Sequence, residues 1–268
     1  MSSLKFPFDI LGNIAIVKFP DKAKSLDKKR FAKTLMSENN SVKTVLEKVG
    51  KFSGRLRKQK TAYVAGEKTK EVLYRENGCV FRFNVDDTYF SPRLSNERKE
   101  ISKLIKKGEK VLVMFAGVSP FSIAIAKGSD AAIVYSNEIN RKANEYGKMN
   151  IERNKLKDRV VLLPGDIKKV ASRLAEKKEK FDVIVMPRPQ LKDSFLREAF
   201  LLSRGGKLGK GTRIYYYDFC KEDEIDSIIE KVKDEAKKSK KRIKILNVKK
   251  AGEVGPYRYR VRVDFKVL

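Results

Sequence analysis

The sequence predicts a doubly wound α/β domain, a largely parallel sheet with helices on both faces, preceded by a smaller α+β domain. Three observations carry this. From about residue 100, short apolar runs alternate with helical patterns, the signature of βα units and a parallel sheet. The last two apolar runs are separated only by a Gly255-Pro256 turn, too short for a crossover, so they form an antiparallel hairpin. Before residue 96, strands, turns and helical stretches mix without that rhythm.

In the smaller domain, residues 1–95, the run 8–19 reads as a bent strand or strand pair about Gly12-Asn13. Residues 22–36 predict a helix, with Leu26, Phe31 and Leu35 set between charges. Residues 42–49 predict a second helix, and 51–59 a basic, partly extended segment. The runs 71–76 and 79–85 predict a hairpin about Asn77-Gly78, a pair that favours the tight turn with both residues at positive φ. Phe81, Phe83 and Val85 alternate with Arg82 and Asn84, so one face is buried. In the larger domain, residues 96–268, strands are expected at 110–114, 131–136, 160–163, 181–186, 213–217, 243–248 and 257–267. Helices are expected near Ser95 and at 120–127, 140–154, 167–175, 192–202 and 222–239.

The chain of 268 residues has 62 Lys and Arg against 34 Asp and Glu, a net charge of +28. Such an excess repels itself unless a polyanion is near, so nucleic acid is the default partner. Both domains are basic, net +10 for residues 1–95 and +18 for the rest. The densest stretch, 231–250, holds ten basic and two acidic residues and reads equally as a solvated helix face or an RNA-facing one. The absence of histidine excludes Ser-His-Asp and Cys-His nucleophile systems and His-ligated zinc. Two cysteines cannot build a disulfide framework or a four-thiolate zinc site. No metal site is expected, and Cys79 and Cys220 read as small buried hydrophobes. There is no apolar run of ~18 residues and no secretory pattern at the N-terminus, so a cytoplasmic protein with no membrane partner is expected.

In an open α/β sheet, ligands bind beyond the carboxyl ends of the central strands. The first such loop, 114–122, contains Phe115, Ala116, Gly117 and Val118 and runs into a helix N-terminus. It suits an anionic or polar group, although a tight βα turn uses the same residues. Glu138 follows the second strand, 21 residues after Gly117, a spacing that suits the two hydroxyls of a ribose. Asp166, after the third strand, reads either as an acceptor for an adenine amino group or as the N-cap of the helix from Ile167. Together the three strand ends point to an adenosine cofactor.

The antiparallel ending is characteristic of the S-adenosyl-L-methionine-dependent methyltransferase variant of this fold. The segments Tyr89-Phe90-Ser91-Pro92-Arg93-Leu94-Ser95-Asn96-Glu97-Arg98 and Val113-Met114-Phe115-Ala116-Gly117-Val118-Ser119-Pro120-Phe121-Ser122 resemble the archaeal and eukaryotic tRNA methyltransferases that modify N1 of guanine 37, beside the anticodon. So do Glu138-Ile139-Asn140, Phe8-Asp9-Ile10-Leu11-Gly12-Asn13 and Glu76-Asn77-Gly78-Cys79. The resemblance covers roughly residues 8–268. Three departures stand out: Val113 where that family usually has Asp, Ser119 where it usually has Gly, and Pro187-Arg188-Pro189 where guanine-only members usually begin with Asn. Proline at that last position resembles the archaeal wyosine branch, whose members methylate C7 of 4-demethylwyosine (imG-14) in tRNA(Phe), some also methylating guanine N1. The family's extra N-terminal domain is not recognised in this sequence.

The resemblance implies S-adenosyl-L-methionine as cofactor, tRNA as partner, chiefly the anticodon arm of tRNA(Phe), and a monomer. It implies Glu97 as the base that removes the guanine N1 proton and Arg57 as the cation beside O6. Arg98 would hold Glu97, cofactor or tRNA, and Pro187 and Pro189 would shape the target pocket. Tyr89, Phe115, Ala116, Gly117, Val118, Glu138, Ile139, Asp166 and Ile167 would line the cofactor. Without the resemblance, Glu97-Arg98 reads as a surface pair, Arg57 as a surface cation and Tyr89 as core. Two other functions fit the sequence: transfer of the aminocarboxypropyl arm of the same cofactor, and non-catalytic RNA binding by a degenerate methyltransferase fold.

Overall fold

A computed structural model describes residues 6–53, 58–206 and 211–268. They form two compact units that divide between Pro92 and Arg93.

The first unit begins with a hairpin, β1 (Phe8–Leu11) and β2 (Ile14–Val17). Its turn requires Gly12: φ is +56°, and a Cβ there would lie 2.0 Å from the Leu73 carbonyl oxygen. Helix α1 (Ser25–Glu38) crosses back to β3 (Thr44–Ser53), parallel to β2, and β4 (Lys58–Gly66) pairs antiparallel on its far side. Ala15, Val17, Phe19, Ala32, Leu35, Val42 and Val45 pack between sheet and helix, with Phe6 and Phe31 edge-on to Phe19. Residues 44–49 are therefore strand, not the helix expected over 42–49. Thr44, Val45 and Val49 are β-branched, and strands on both sides satisfy their backbone, which overrides a weak helical pattern. The partner β4 is polar and Lys-rich, so its sequence does not announce a strand.

The hairpin β5 (Glu71–Glu76) and β6 (Cys79–Asn84) turns at Asn77 and Gly78, φ +47° and +71°. Phe81, Phe83 and Val85 face inward as expected, and Phe90 stacks on Phe83 with ring centroids 4.7 Å apart. Asn13 joins the two hairpins, accepting from the Leu73 amide (2.8 Å) and donating to the Glu71 carbonyl (3.3 Å).

The second unit opens with α2 (Ser95–Leu104). The strands follow as β7 (Lys110–Val113), β8 (Ile133–Glu138), β9 (Val160–Pro164), β10 (Val183–Met186), β11 (Arg213–Lys221), β12 (Ile243–Gly255) and β13 (Arg258–Val267). The spatial order is β12-β13-β11-β10-β7-β8-β9. Pairing is parallel from β11 to β9, while β13 runs antiparallel to both its neighbours. This is the predicted doubly wound sheet with its antiparallel end. The order reverses between β7 and β10, which places the ligand crevice of such sheets at their tips.

Helices α3 (Pro120–Gly128), α4 (Arg141–Arg153), α5 (Ile167–Glu176), α6 (Leu196–Leu202) and α7 (Ile225–Lys238) fill the connections. Helix α2 packs on α3, and α5, α6 and α7 pack in a row. Leu112, Met114, Ile184, Met186, Ile214 and Phe265 meet that row in one core. The central strands are apolar throughout because both faces are covered. Helix α6 starts four residues later than the pattern suggested, at Leu196.

Candidate functional site

The tips of β7, β8 and β9 are laced together by their backbones. The Ala116 amide donates to the Asn137 carbonyl (2.8 Å) and the Gly165 amide to the Glu138 carbonyl (2.9 Å). Asn137 donates onward to the carbonyls of Leu163 and Gly165. Between β7 and α3 the chain turns through three residues at positive φ: Phe115 (+59°), Gly117 (+57°) and Ser119 (+69°). Glu138 closes on this loop, one carboxylate oxygen accepting from the Gly117 amide (2.8 Å) and the other from the Asn140 amide (2.7 Å). Burial pushes Glu138 above the ordinary carboxylate range, with the amides of Asn140, Gly117 and Ile139 pulling the other way. A carboxylate has about four acceptor positions, and the three amides leave one for a ligand hydroxyl. The residues therefore fit an adenosine-type ligand. Val118 and Ile167 are buried in core, and Ile139 is exposed. Asp166 caps α5, accepting from the Lys168 amide (3.0 Å).

Pro187 and Pro189, both half-buried, follow β10. Between them Arg188 is 4% exposed and pairs with buried Asp218 of β11 at 2.7 Å. Asp218 also takes the Tyr216 hydroxyl and the Lys231 ammonium.

Glu97 lies on α2 and is buried. Its Oε2 accepts from the Tyr217 hydroxyl (2.8 Å) and Arg262 (2.7 Å), and Oε1 pairs with Lys249 (2.9 Å). Arg262 is itself held by Asp264 and Glu100. Burial raises Glu100, but its bonds from Lys249 and Arg262 outweigh this and hold it below the usual value. Burial and the neighbouring Glu97 charge push the Tyr217 hydroxyl far up, so it stays a donor. The surface-pair reading of Glu97-Arg98 does not hold, since both are buried. The Arg98 guanidinium sits over the Phe121 ring, 5.7 Å from the centroid, and Arg262 and Lys249 pair with Glu97.

Arg57 lies outside the described residues. Tyr89, in the first unit, is half-buried. Of the ten cations in 231–250, Lys231, Lys233, Lys238, Lys249 and Lys250 pair with carboxylates of their own unit. Both cysteines are buried. Among the described residues, no helix is long and apolar enough to cross a membrane, and no cluster of ligand-type side chains could hold a metal.

Residues 72–246 match the family model described as the TRM5/TYW2 methyltransferase domain, and residues 1–69 that of the TYW2 N-terminal domain. The chain belongs to the TRM5/TYW2 methyltransferase family. It is 34% identical over 261 residues to the tRNA (guanine(37)-N(1))-methyltransferase Trm5b of Pyrococcus abyssi, covering 97% of this chain and 74% of the relative. It is 31% identical to the tRNA (guanine(37)-N(1))/4-demethylwyosine(37)-methyltransferase Taw22 of Nanoarchaeum equitans, covering 97% and 99%. The solved complex of aTrm5 with tRNALeu superposes with a TM-score of 0.82 at 27% identity, covering 98% of this chain and 72% of that one.

Within this TRM5/TYW2 member, one departure from the family pattern has a local explanation. Ser119 occupies the left-handed region that glycine tolerates best. Its hydroxyl joins Ser122 and Ser136 in a buried cluster (3.0 and 2.8 Å). The space it takes is the space beside Gly147 on α4, where a Cβ would lie 2.8 Å from Ser119 Oγ. Gly147→Ala is therefore expected to destabilise the protein alone and to stabilise it in a Ser119→Gly background, where helix propensity favours alanine by about 1 kcal/mol. Urea denaturation of the two single variants and the double variant checks this, and additive effects would refute the coupling.

Sequence reasoning missed Arg262, Lys249 and Tyr217, the partners of Glu97, and the Asp218 anchor of Arg188. Tyr217 and Arg262 are inward-facing polar residues of the strands expected at 213–217 and 257–267, while Asp218 and Lys249 fall one residue beyond the strand ends expected at 217 and 248. The only signal was a charged residue breaking an apolar run, as Arg262 and Asp264 do in β13.

Proposed function

We propose that this chain is an S-adenosyl-L-methionine-dependent tRNA methyltransferase acting on position 37, methylating N1 of guanine and also C7 of 4-demethylwyosine. The observation that carries this is the enclosed Glu138 carboxylate bonded to the Gly117 amide, which sets a hydroxyl-binding acid beside a tight loop at the sheet's switch point. The bound cofactor supplies an electrophilic methyl group on a sulfonium. Glu138 takes a ribose hydroxyl, and the loop Phe115 to Val118 lets the backbone approach. Asp166 and Ile167 border the adenine, and Tyr89 stacks on cofactor or target base.

Guanine N1 carries a proton and is a poor nucleophile until it leaves. With no histidine in the chain, a carboxylate must take it. Glu97 has that role: Tyr217 and Arg262 occupy Oε2, while Oε1 has Lys249 alone and keeps an acceptor position. Arg57 balances the charge that gathers on O6, and Arg98, stacked on Phe121, braces α2 behind Glu97. The target base must leave the anticodon-loop stack to be reached. For the tricyclic base, C7 attacks as an enamine-like carbon and then loses its proton to a base. Pro187 removes the amide side chain of guanine-only relatives, and Pro189 stiffens the loop, so the pocket takes the larger ring system.

The test is incubation with labelled cofactor and two transcripts, one with G37 and one carrying 4-demethylwyosine, followed by nucleoside mass spectrometry. A gain of about 14 daltons on both supports the proposal, whereas about 101 daltons reports the aminocarboxypropyl arm. No gain, with no cofactor binding by calorimetry, leaves a degenerate RNA-binding fold. Pro187→Asn is expected to shift product toward N1-methylguanosine, and an unchanged product ratio removes the basis for the wyosine assignment.

A further inference from the structure

The segment 187–191 is built so that one side chain fixes its shape. Pro187 and Pro189 have no amide hydrogen, and the Arg188 amide is committed to the Met186 carbonyl at 2.7 Å. Backbone donors of residues 187–189 therefore cannot tie this part of the loop to anything else. Arg188 turns back beneath it instead. Its Nη1 donates to the carbonyls of Pro189 (2.8 Å) and Leu191 (3.1 Å). Its Nη2 donates to Leu191 (3.2 Å) and Asp218 Oδ1 (2.7 Å), and Nε to the Tyr216 hydroxyl (3.2 Å). A guanidinium has five N–H groups, and all five are used.

The far end of this clamp is rigid. Asp218 also accepts from the Tyr216 hydroxyl (2.7 Å), the Phe219 amide (2.8 Å) and Lys231 of α7 (2.9 Å). Tyr216 and Asp218 sit on β11, which is paired on both sides, by β10 and β13. Both Arg188 and Asp218 are nearly inaccessible, 4% and 3% exposed. Burying a charge pair costs desolvation, and an apolar residue would fill the space more cheaply. What the arginine adds is geometry: a planar fork that holds two carbonyls in one loop to a carboxylate in the sheet, which lysine cannot reproduce.

We propose that Arg188 is a positioning residue, whose clamp between residues 187–191 and Asp218 sets where the loop meets the target base. The proposal rests on the function assigned above, which brings the base to this loop. Arg188 itself is buried and spends its guanidinium on the loop carbonyls, Tyr216 and Asp218.

Arg188→Lys, made in the full chain, is expected to lower kcat for the G37 transcript about 100-fold, the scale of a reacting group displaced by about 1 Å. Dissociation constants for cofactor and tRNA should stay within about twofold, because every N–H of the guanidinium is already committed to a protein acceptor. Hydrogen exchange in the peptide spanning 187–195 should rise, with the rest of the second unit unchanged. Millimolar guanidinium should restore part of the rate to Arg188→Ala and none to wild type. Asp218→Asn serves with the same readouts if Arg188→Lys fails to fold. The proposal is overturned by an unchanged kcat, by cofactor affinity falling in step with kcat, or by exchange at 187–195 that does not change. If wild type transfers no methyl group, the functional assignment fails instead, and hydrogen exchange alone still decides the clamp.

Discussion

Glu97→Gln is expected to slow methylation of a G37 transcript by about 100-fold or more, the usual contribution of a positioned general base, with tRNA affinity close to wild type. The choice of glutamine follows from the surroundings of the carboxylate. Glu97 is 5% exposed and faces two cations and a phenol. Alanine there would remove one buried partner of Arg262 and Lys249, which keep Asp264 and Glu100, and would leave the Tyr217 hydroxyl without the carboxylate it donates to, a change that costs about 1–3 kcal/mol. Loss of rate would then be confounded with loss of fold. Glutamine keeps an acceptor for Tyr217 and Arg262, and Arg262 retains its two bonds to Asp264. What glutamine cannot do is take a proton. Single-turnover rates beside filter-binding affinities check the prediction. Parallel losses in both would make Glu97 a structural node of the β11–β13 sheet rather than a base.

Glu138→Gln is expected to weaken cofactor binding by about 1.5–3 kcal/mol, the worth of hydrogen bonds to a charged group, or roughly tenfold to a hundredfold. It should also abolish a pH dependence. Burial raises the free protein's Glu138, so the neutral form is favoured by folding. The sign for stability follows: this contribution is complete below the carboxyl value of the unfolded chain and is lost as pH rises through the folded-state value. Ligand hydroxyls that donate to the carboxylate favour the ionised form, so binding expels a proton in that range. Affinity in wild type should tighten as pH climbs toward the raised value and then level off. Calorimetry in buffers of different ionisation enthalpy measures the proton released. A glutamine variant with the same slope would show that another group titrates.

Much of the sheet was legible because its strands obey local rules. The apolar runs 110–114 and 181–186 announce buried parallel strands, and Asn77-Gly78 announces a hairpin. The strand at 44–53 was not legible, because its partners, β2 and the Lys-rich β4, decide it from outside the segment. The candidate site divides in the same way. Gly117, Glu138 and Asp166 stand at strand ends, where spacing along the chain reflects spacing in the crevice. Arg262, 165 residues from Glu97, carries no such mark, since only the folded sheet brings β13 under α2. Arg188 was in view only as part of Pro187-Arg188-Pro189, because its four side-chain partners are set by the turn of the loop and by β11. The dense cationic run near the end was read as undecided, and half of it proves to serve its own unit.

The Ser119 hydroxyl also bears on how this sequence could change. While it occupies the hollow beside α4, residue 147 is barred from acquiring a methyl group, however well alanine suits a helix. A lineage that had taken alanine at 147 first would equally be barred from serine at 119. The two positions thus fix an order of events: glycine must be regained at one site before the other is released.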